Sequence, residues 1–458
     1  MPTFRHRSQL PYSPETVFDW HMRPGALERL TPPWAHARVL EREGGIHDGG
    51  KVVLAIKQGP TELKWTVRHT AYERGRLFQD EQISGPFGKW VHAHRFLPSD
   101  DDGCILEDEV EWLPPLGSAG RLFAAGFINK ELHRLFAFRH ARLRHDLDLH
   151  ARYGGKGAMT LAVTGSSGLL GQNLVHFLET GGHTVHSISR TRSDSDVFWD
   201  PISGEIDSDS LEGLDGVVHL AGEPIFGLRW TAEKKSKILE SRTKGTELLS
   251  RSLAGLSRKP PVLVSASAIG YYGNRGSEPV AEGGKPGKGF LARVCKEWEA
   301  ATTPAKKAGI RVVTLRTGMV LSPKGGALGT MLLPFKMGLG GRLGSGRQYV
   351  SWIDLDDEVA LIYHALATES VRGPLNATAP HPVTNATFTD TLGRVLGRPT
   401  LIPVPALGVK GLFGEMGQAL LLNGARVVPT KAEETGFTFR YPTLEESLRF
   451  QLGKQERD

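Results

Sequence analysis

At 458 residues the chain is too long for one hydrophobic core, so two or three domains are expected. Its 39% hydrophobic and 23% charged residues exclude a disordered or fibrous protein. A formal charge of +6 is mild for this length, and no Lys/Arg run interleaved with aromatics supports nucleic-acid binding. Cys104 and Cys295 stand far apart, which argues against a disulfide framework and for a reducing compartment. Residues Met1 to His6 lack the apolar core of a signal peptide, and no segment is long enough to span a bilayer. A cytoplasmic protein is expected.

Phe4 to Leu10 reads as an opening strand. Ser13 then looks like an N-cap, with Pro14 at the first helical position and Glu15 and Thr16 in the first turn. Alternating segments follow at Val52–Ile56, Leu63–Val67, Leu77–Gln82, Val91–Phe96 and Ile105–Trp112, separated by turns such as Ser99 to Gly103. A long amphipathic helix carries Ile128, Leu132, Leu135, Phe136, Leu143 and Leu147 at helical spacing. Tyr153-Gly154-Gly155-Lys156-Gly157 is a natural linker. This order resembles the START-like (SRPBCC) helix-grip family, over residues 1–153. The resemblance implies an α+β fold whose curved sheet wraps the last helix, with an apolar ligand or side chains filling the space between. His92 and His94 share one strand face, but no third ligand appears at diagnostic spacing, and no metal site is expected there or at His133 and His140.

The next strand ends in the most informative stretch of the chain. Leu161 to Thr164 runs into Gly165, Ser166, Ser167, Gly168, Leu169, Leu170 and Gly171, and a helical pattern (Leu174, Val175, Leu178) follows. Gly165 suits a tight turn, Gly168 a close approach of backbone to phosphates, and Gly171 the packing of helix against strand; the pyrophosphate then meets the helix N-terminus. His183 to Ser189 reads as the second strand, closed by Arg190 with Arg192 beyond. In this architecture an acidic residue there would receive the ribose hydroxyl of NAD, whereas a guanidinium pairs with the 2′-phosphate of NADP. NADP is therefore favoured over NAD. Buried strands at Val217–Leu220, Val262–Ser267 and Arg311–Arg316 complete an alternation typical of a doubly wound parallel sheet.

These pieces resemble the extended short-chain dehydrogenase/reductase (SDR) superfamily, near its nucleotide-sugar epimerases. The resemblance rests on the glycine loop, Leu220-Ala221-Gly222, Gly245 to Leu249, Ser265-Ala266-Ser267-Ala268, Gly270-Tyr271-Tyr272-Gly273, Trp352 to Asp357 and Asn376 to Pro380. With Gly436 to Pro442 near the end, it points to the subfamily of "NAD-dependent epimerase" proteins that carry a short C-terminal extension. It implies a Rossmann-like NADP-binding domain with a substrate lobe over residues 159–402 and an extension over 403–458 packed on it.

The departure is at the acid/base. Such enzymes use a tyrosine with a lysine four residues on, because a phenol of pKa about 10 is a poor base at neutral pH. None of the eight tyrosines here has that lysine, and the helix reads Gly289-Phe290-Leu291-Ala292-Arg293-Val294-Cys295-Lys296 where the pair should fall. Ser267 (or Ser265 if the alignment slips), Tyr271 and Tyr272 are the candidate catalytic groups. Lys296 lies near the expected place on the helix, and Arg242 stands where related proteins usually carry an asparagine beside the cofactor. The segment Leu332 to Gly346, with Arg342 and then Arg347, occupies the place of a substrate lid that could meet an anion. The tail adds an amphipathic helix through Leu412, Met416, Leu420 and Leu421, expected to cover the sheet or a neighbouring subunit. The expectation is an NADP-dependent oxidoreductase or epimerase acting on a small molecule such as a nucleotide sugar. The alternative is a catalytically degenerate NADPH-binding regulator coupled to a hydrophobic-ligand module.

Overall fold

Ser13 Oγ accepts the Thr16 N–H at 3.2 Å, and helix α1 (Pro14–Met22) starts at the proline that follows. The structure, a computed structural model, describes residues 2–58, 61–114, 117–227 and 229–455. It forms two compact units, one of residues 1–155, 176–182 and 452–458, the other of residues 156–175 and 183–451.

In the first unit β1 (Thr3–Leu10) precedes α1 and a short α2 (Ala26–Leu30). Then come β2 (Ala37–Glu43), β3 (Lys51–Gln58), β4 (Thr61–Glu73), β5 (Leu77–Ser84), β6 (Lys89–Pro98), β7 (Cys104–Leu113) and the long α3 (Gly117–Tyr153). The strands make one antiparallel sheet of order β1-β7-β6-β5-β4-β3-β2. Leu106, Asp108, Val110 and Trp112 of β7 alternate inward and are buried, and Leu132, Phe136, Leu143 and Leu147 of α3 are buried as the helical period predicts. Register shifts at Thr66/Val67 and His69/Ala71 lie along β4, and such bulges bend a strand. Two elements escaped the sequence reading: α2, a five-residue helix, and β2, an edge strand that is largely exposed and so lacks an apolar period. Among the described residues, Phe78 and Phe96 of the sheet and Phe136 of α3 are buried. A cavity of about 10 Å³ lies beside His21, His94, Asp108 and His140, and a larger pocket of about 740 Å³ lies between Ser13–Glu15, Glu73–Leu77 and Arg95–Ser99.

The second unit opens with β8 (Thr160–Thr164), α4 (Leu169–Thr180, whose last turns belong to the first unit), β9 (Thr184–Ser189), β10 (Val197–Asp200), β11 (Glu205–Ile206) and β12 (Gly216–His219). It continues with α5 (Ala232–Gly255), β13 (Val262–Ala268), β14 (Pro279–Val280), α6 (Phe290–Ala300), α7 (Thr303–Lys307) and β15 (Arg311–Thr317). Next come β16 (Met319–Leu321), α8 (Gly326–Lys336), β17 (Tyr349–Val350), β18 (Trp352–Asp354), α9 (Leu355–Ala367), β19 (Gly373–Ala377), β20 (Val383–Thr384) and α10 (Asn385–Leu396). The tail adds α11 (Ala406–Gly417), β21 (Arg426–Val427), α12 (Thr430–Glu434) and α13 (Leu444–Gln451). The main sheet has the order β11-β10-β9-β8-β12-β13-β15-β19. All its pairs are parallel except β10 with β11. The chain leaves β8 in one direction and returns to it from the other at β12, which creates the crevice where ligands bind in such sheets. The tail helix does not run unbroken through Leu421 as its pattern predicts. Gly414 takes φ +58° inside α11, and residues Gln418–Leu422 form a π turn. Met416 is buried, whereas Leu412 is exposed.

Acidic residues at the head of α9 hold the tail. Asp354 accepts hydrogen bonds from Ser447 Oγ at 2.6 Å and Gln451 Nε2 at 3.0 Å, and Asp357 accepts the N–H groups of Arg440 and Tyr441 at 2.8 and 3.0 Å. Glu358 accepts from Thr317 Oγ1 at 2.8 Å. Burial pushes Asp357 up to about 7 and Glu358 up to about 8. The folded chain therefore holds protons that the unfolded chain, with carboxyl values of about 4, has released. This contribution to stability is complete below pH about 4 and is lost as pH rises through 7 and 8. The melting temperature is expected to fall between roughly pH 4 and 8, and Glu358→Gln to make that slope shallower; thermal scans across this range check it.

Candidate dinucleotide site

The glycine loop leaves β8 at the crevice. Gly165 has φ +70°, and a Cβ on it would lie 3.0 Å from the Ala221 nitrogen beyond β12. Gly171 is tighter still, since a Cβ there would come within 2.1 Å of the Gly165 carbonyl oxygen. Helix and loop thus touch backbone to backbone. The Gly168 N–H closes the turn on the Gly165 carbonyl at 3.0 Å. Ser167 and Gly168 are exposed, and Ser166, Leu169 and Leu170 half-buried. The N–H groups of the first turn of α4 have no carbonyl of their own helix to bond, which suits an incoming phosphate. The residues present therefore fit a dinucleotide: the cradle is closed to side chains and lined by backbone donors.

Arg190 follows β9. Thr164 pairs with Ile188 in the parallel register, so Arg190 stands level with the loop residues just past Thr164. It is exposed and makes no ion pair among the described residues. Arg192 is differently placed: its guanidinium lies 3.7 Å over the Phe198 ring and 3.7 Å from Glu205.

The far wall is Leu220-Ala221-Gly222. Thr164 Oγ1 accepts the N–H groups of Leu220 and Ala221 at 3.0 and 3.1 Å, and its own proton goes to His219 Nδ1 at 2.7 Å. His219 Nε2 then donates to Thr246 Oγ1 at 2.9 Å, which also accepts Trp298 Nε1. Burial pushes His219 down to about 4, so the ring is neutral and this tautomer is fixed. Arg242 is buried over Trp298, at 4.9 Å from the ring, and Nη1 donates to the carbonyls of Glu223 and Ile238 at 2.9 and 3.0 Å. A Cβ on Gly222 would meet the Arg242 guanidinium at 3.3 Å. Arg242 braces this wall from behind.

The candidate catalytic residues gather at the ends of β13 and β15 around a pair the sequence reading missed. Arg316 and Glu299 form a bidentate ion pair, Nε to Oε1 at 2.7 Å and Nη2 to Oε2 at 2.8 Å. Ser267 Oγ donates to the same Glu299 oxygen at 2.8 Å. Tyr272 is fully buried, donates to Asn376 Oδ1 at 2.6 Å and accepts Arg316 Nη1 at 2.9 Å. Burial holds its phenol above the usual tyrosine range. Burial also opposes the charge on Arg316, but the Glu299 carboxylate and the Tyr272 hydroxyl outweigh it and hold the guanidinium above its usual value. Tyr271 is half-buried beneath Arg316, whose guanidinium lies 3.5 Å from the ring centroid. Ser265 Oγ is buried and makes no hydrogen bond. On α6, Leu291 and Cys295 face this corner, 3.3 and 3.7 Å from where a Gly270 Cβ would stand. Burial pushes the Cys295 thiol up to about 12, which makes it inert, and Lys296 points into solvent.

The lid segment is pinned by backbone. Gly344 N–H bonds the Val404 carbonyl at 2.8 Å, Val404 N–H bonds the Arg342 carbonyl at 2.9 Å, and Leu343 N–H bonds Asn385 Oδ1 at 2.8 Å. Arg342 and Arg347 are both exposed. No helix among the described residues is long and apolar enough to cross a membrane.

Comparison with known proteins follows the same divisions. Residues 10–137 match the polyketide cyclase/dehydrase and lipid transport family, residues 161–376 the NAD dependent epimerase/dehydratase family, and residues 404–451 a domain of unknown function. An epimerase family protein of Mycobacterium bovis is 44% identical over 292 residues, covering 63% of this chain and 96% of its own. The human epimerase family protein SDR39U1 is 35% identical over 296 residues, covering 64% and 99%. Among solved structures, the nucleoside-diphosphate sugar epimerase from Corynebacterium glutamicum has a TM-score of 0.82 at 33% identity, over 99% of this chain and 91% of that one. Human SDR39U1 isoform 2, solved with NADPH, has a TM-score of 0.60 at 34% identity, over 64% and 98%.

Proposed function

Since the chain belongs to the NAD-dependent epimerase/dehydratase family, among the epimerase family proteins of SDR39U1 type, we propose that it binds NADP(H) and carries out oxidoreductase or epimerase chemistry on a small molecule of the nucleoside-diphosphate sugar class. The observation that carries this reading is the loop of Gly165 to Gly171, where a Cβ on Gly171 has 2.1 Å to the nearest backbone oxygen. Such a cradle admits a pyrophosphate against bare backbone. The 2′-phosphate falls to Arg190, exposed and without an ion pair at the end of β9. The substrate class is supported by the C. glutamicum relative and by the exposed Arg342 and Arg347.

When bound, the nicotinamide supplies or accepts the hydride. The chain must then move a proton at the substrate oxygen. Tyr271 is the phenol placed to do so, because Tyr272 already donates its proton to Asn376. Arg316, seated on the Tyr271 ring and tied to Glu299, holds that ring in place. Ser267 is committed to Glu299 and positions it.

Calorimetric titration with NADPH and NADH tests the cofactor. Arg190→Asp is expected to weaken NADPH roughly 10- to 100-fold, the range of one or two charge-assisted hydrogen bonds, and to move the preference toward NADH. Failure of both nucleotides to bind would remove the reading. If a panel of nucleoside-diphosphate sugars shows turnover, Tyr271→Phe should lower kcat by about 10²-fold or more, the usual range for a lost general acid. The apolar face of Leu291 and Cys295 favours a second reading, a binder without turnover. Tight NADPH binding with no oxidation by any of that panel would decide for it.

A further inference from the structure

Four histidines and two aspartates from five elements of the first unit converge inside the sheet. Asp80 on β5 pairs with His92 on β6, and His94 on β6 pairs with Asp108 on β7. Cross-strand partners share a face, so all four side chains point toward α3. From there His140 contributes Nε2 to Asp108 Oδ2 at 2.6 Å, and His21 of α1 closes the small cavity from the side. His92, His94, Asp108, His140 and His21 are all more than nine-tenths buried.

Their contacts are those of ligands about a shared point. One ligand atom from each of Asp80, His92 and His94 lies within 4.8 Å of the others. His92 turns Nδ1 toward Asp80 Oδ1, at 3.5 Å, while its Nε2 hydrogen-bonds Asp108 Oδ1 at 2.8 Å. A metal-bound histidine is held in the same way, one nitrogen on the ion and the other N–H on a carboxylate. His94 turns Nδ1 to Asp108 Oδ1, at 2.6 Å. Its ring is stacked in place by Phe78 at 4.1 Å between ring centroids. The adjoining cavity of about 10 Å³ has room for one small atom or water.

We propose that this cluster is a site for a divalent transition-metal ion, with Asp80, His92 and His94 as ligands and Asp108 as the carboxylate that orients the histidines. Two imidazoles and one carboxylate leave coordination positions open on an ion, and such a donor set selects zinc, iron, cobalt or nickel over calcium or magnesium. Arg139, which also lines the cavity, commits Nε to the Leu30 carbonyl at 3.3 Å. The sequence reading expected no metal site because spacing along the chain is its only guide. The third ligand comes from a neighbouring strand, through sheet register, at no diagnostic spacing.

The test uses the full chain, treated with a chelator and titrated with Zn²⁺ and Co²⁺. One equivalent should bind, Co²⁺ should develop visible ligand-field bands, and Zn²⁺ should raise the melting temperature of the first unit. His94→Gln and Asp80→Asn should each weaken the metal at least about 100-fold, two factors of ten at 1.4 kcal/mol each, while the metal-free circular dichroism and the melting transition of the first unit are retained as the check on folding. If a variant fails that check, the wild-type cobalt spectrum alone decides. Absence of ligand-field bands, or Zn²⁺ binding that both variants retain, overturns the proposal.

Discussion

Glu299→Ala is expected to destabilise the second unit by roughly 3–5 kcal/mol, the range for breaking a buried ion pair on one side. The substitution strips Arg316, 4% exposed, of both its carboxylate bonds and leaves Ser267 Oγ without its acceptor. The reverse change, Arg316→Met, should cost as much, because Glu299 then keeps only the Ser267 hydroxyl and Tyr272 loses a donor. Replacing both, as Glu299→Leu with Arg316→Met, should recover more than half of the loss, since an apolar pair asks for no solvation. Denaturation followed at the transition that NADPH shifts would measure all three. Equal losses in the single and double variants would mean that the pair's shape matters and its charge does not.

Gly171→Ala should abolish measurable NADPH binding, a change of at least about 100-fold or 2.7 kcal/mol, and should also lower stability without ligand. Its Cβ has 2.1 Å to the Gly165 oxygen, so α4 must move away from the loop. Gly168→Ala separates the two roles. There the nearest atom to a Cβ is the Gly165 oxygen at 3.2 Å, a contact relieved by a few tenths of an ångström. Its melting temperature without ligand should stay near wild type, while NADPH weakens because the methyl group stands where phosphate oxygens approach backbone. Calorimetry with a parallel thermal scan reads both.

The local signals in this chain were legible because each residue type answers to one backbone requirement. Ser13 with Pro14 announces α1, and Gly165, Gly168 and Gly171 announce a turn with a closely packed helix. The two-residue and three-residue alternations along β7 and α3 likewise became inner faces. What escaped was set by register and by distant partners. Glu299 and Arg316 are 17 residues apart and meet only because α6 packs against β13, the neighbour of β15 in the sheet. Asp80 and Asp108 meet the histidines of β6 from the strands on either side. No period in the sequence carries such a pairing. β2 was invisible because an edge strand exposed on most of its length has no apolar face to alternate. The break in α11 at Gly414 was not visible because a glycine in an apolar helical pattern is compatible with either outcome.

The acidic cluster at the head of α9 has a bearing on how the protein is made. Asp354 is satisfied by Gln451, 97 positions further on, and Asp357 by the backbone of Tyr441, 84 positions further on. During synthesis every strand of the main sheet has left the ribosome before these partners exist. The nascent unit must then wait, with the carboxylates still in water, for residues 440–451 to emerge. Contacts of such long sequence separation slow folding and prolong the exposure of unfinished surfaces. A stalled or prematurely terminated chain would carry a nearly full set of strands and no means to close them. Closure of the second unit over the head of α9 is thus a late event, timed by the distance along the chain from Asp354 and Asp357 to residues 440–451.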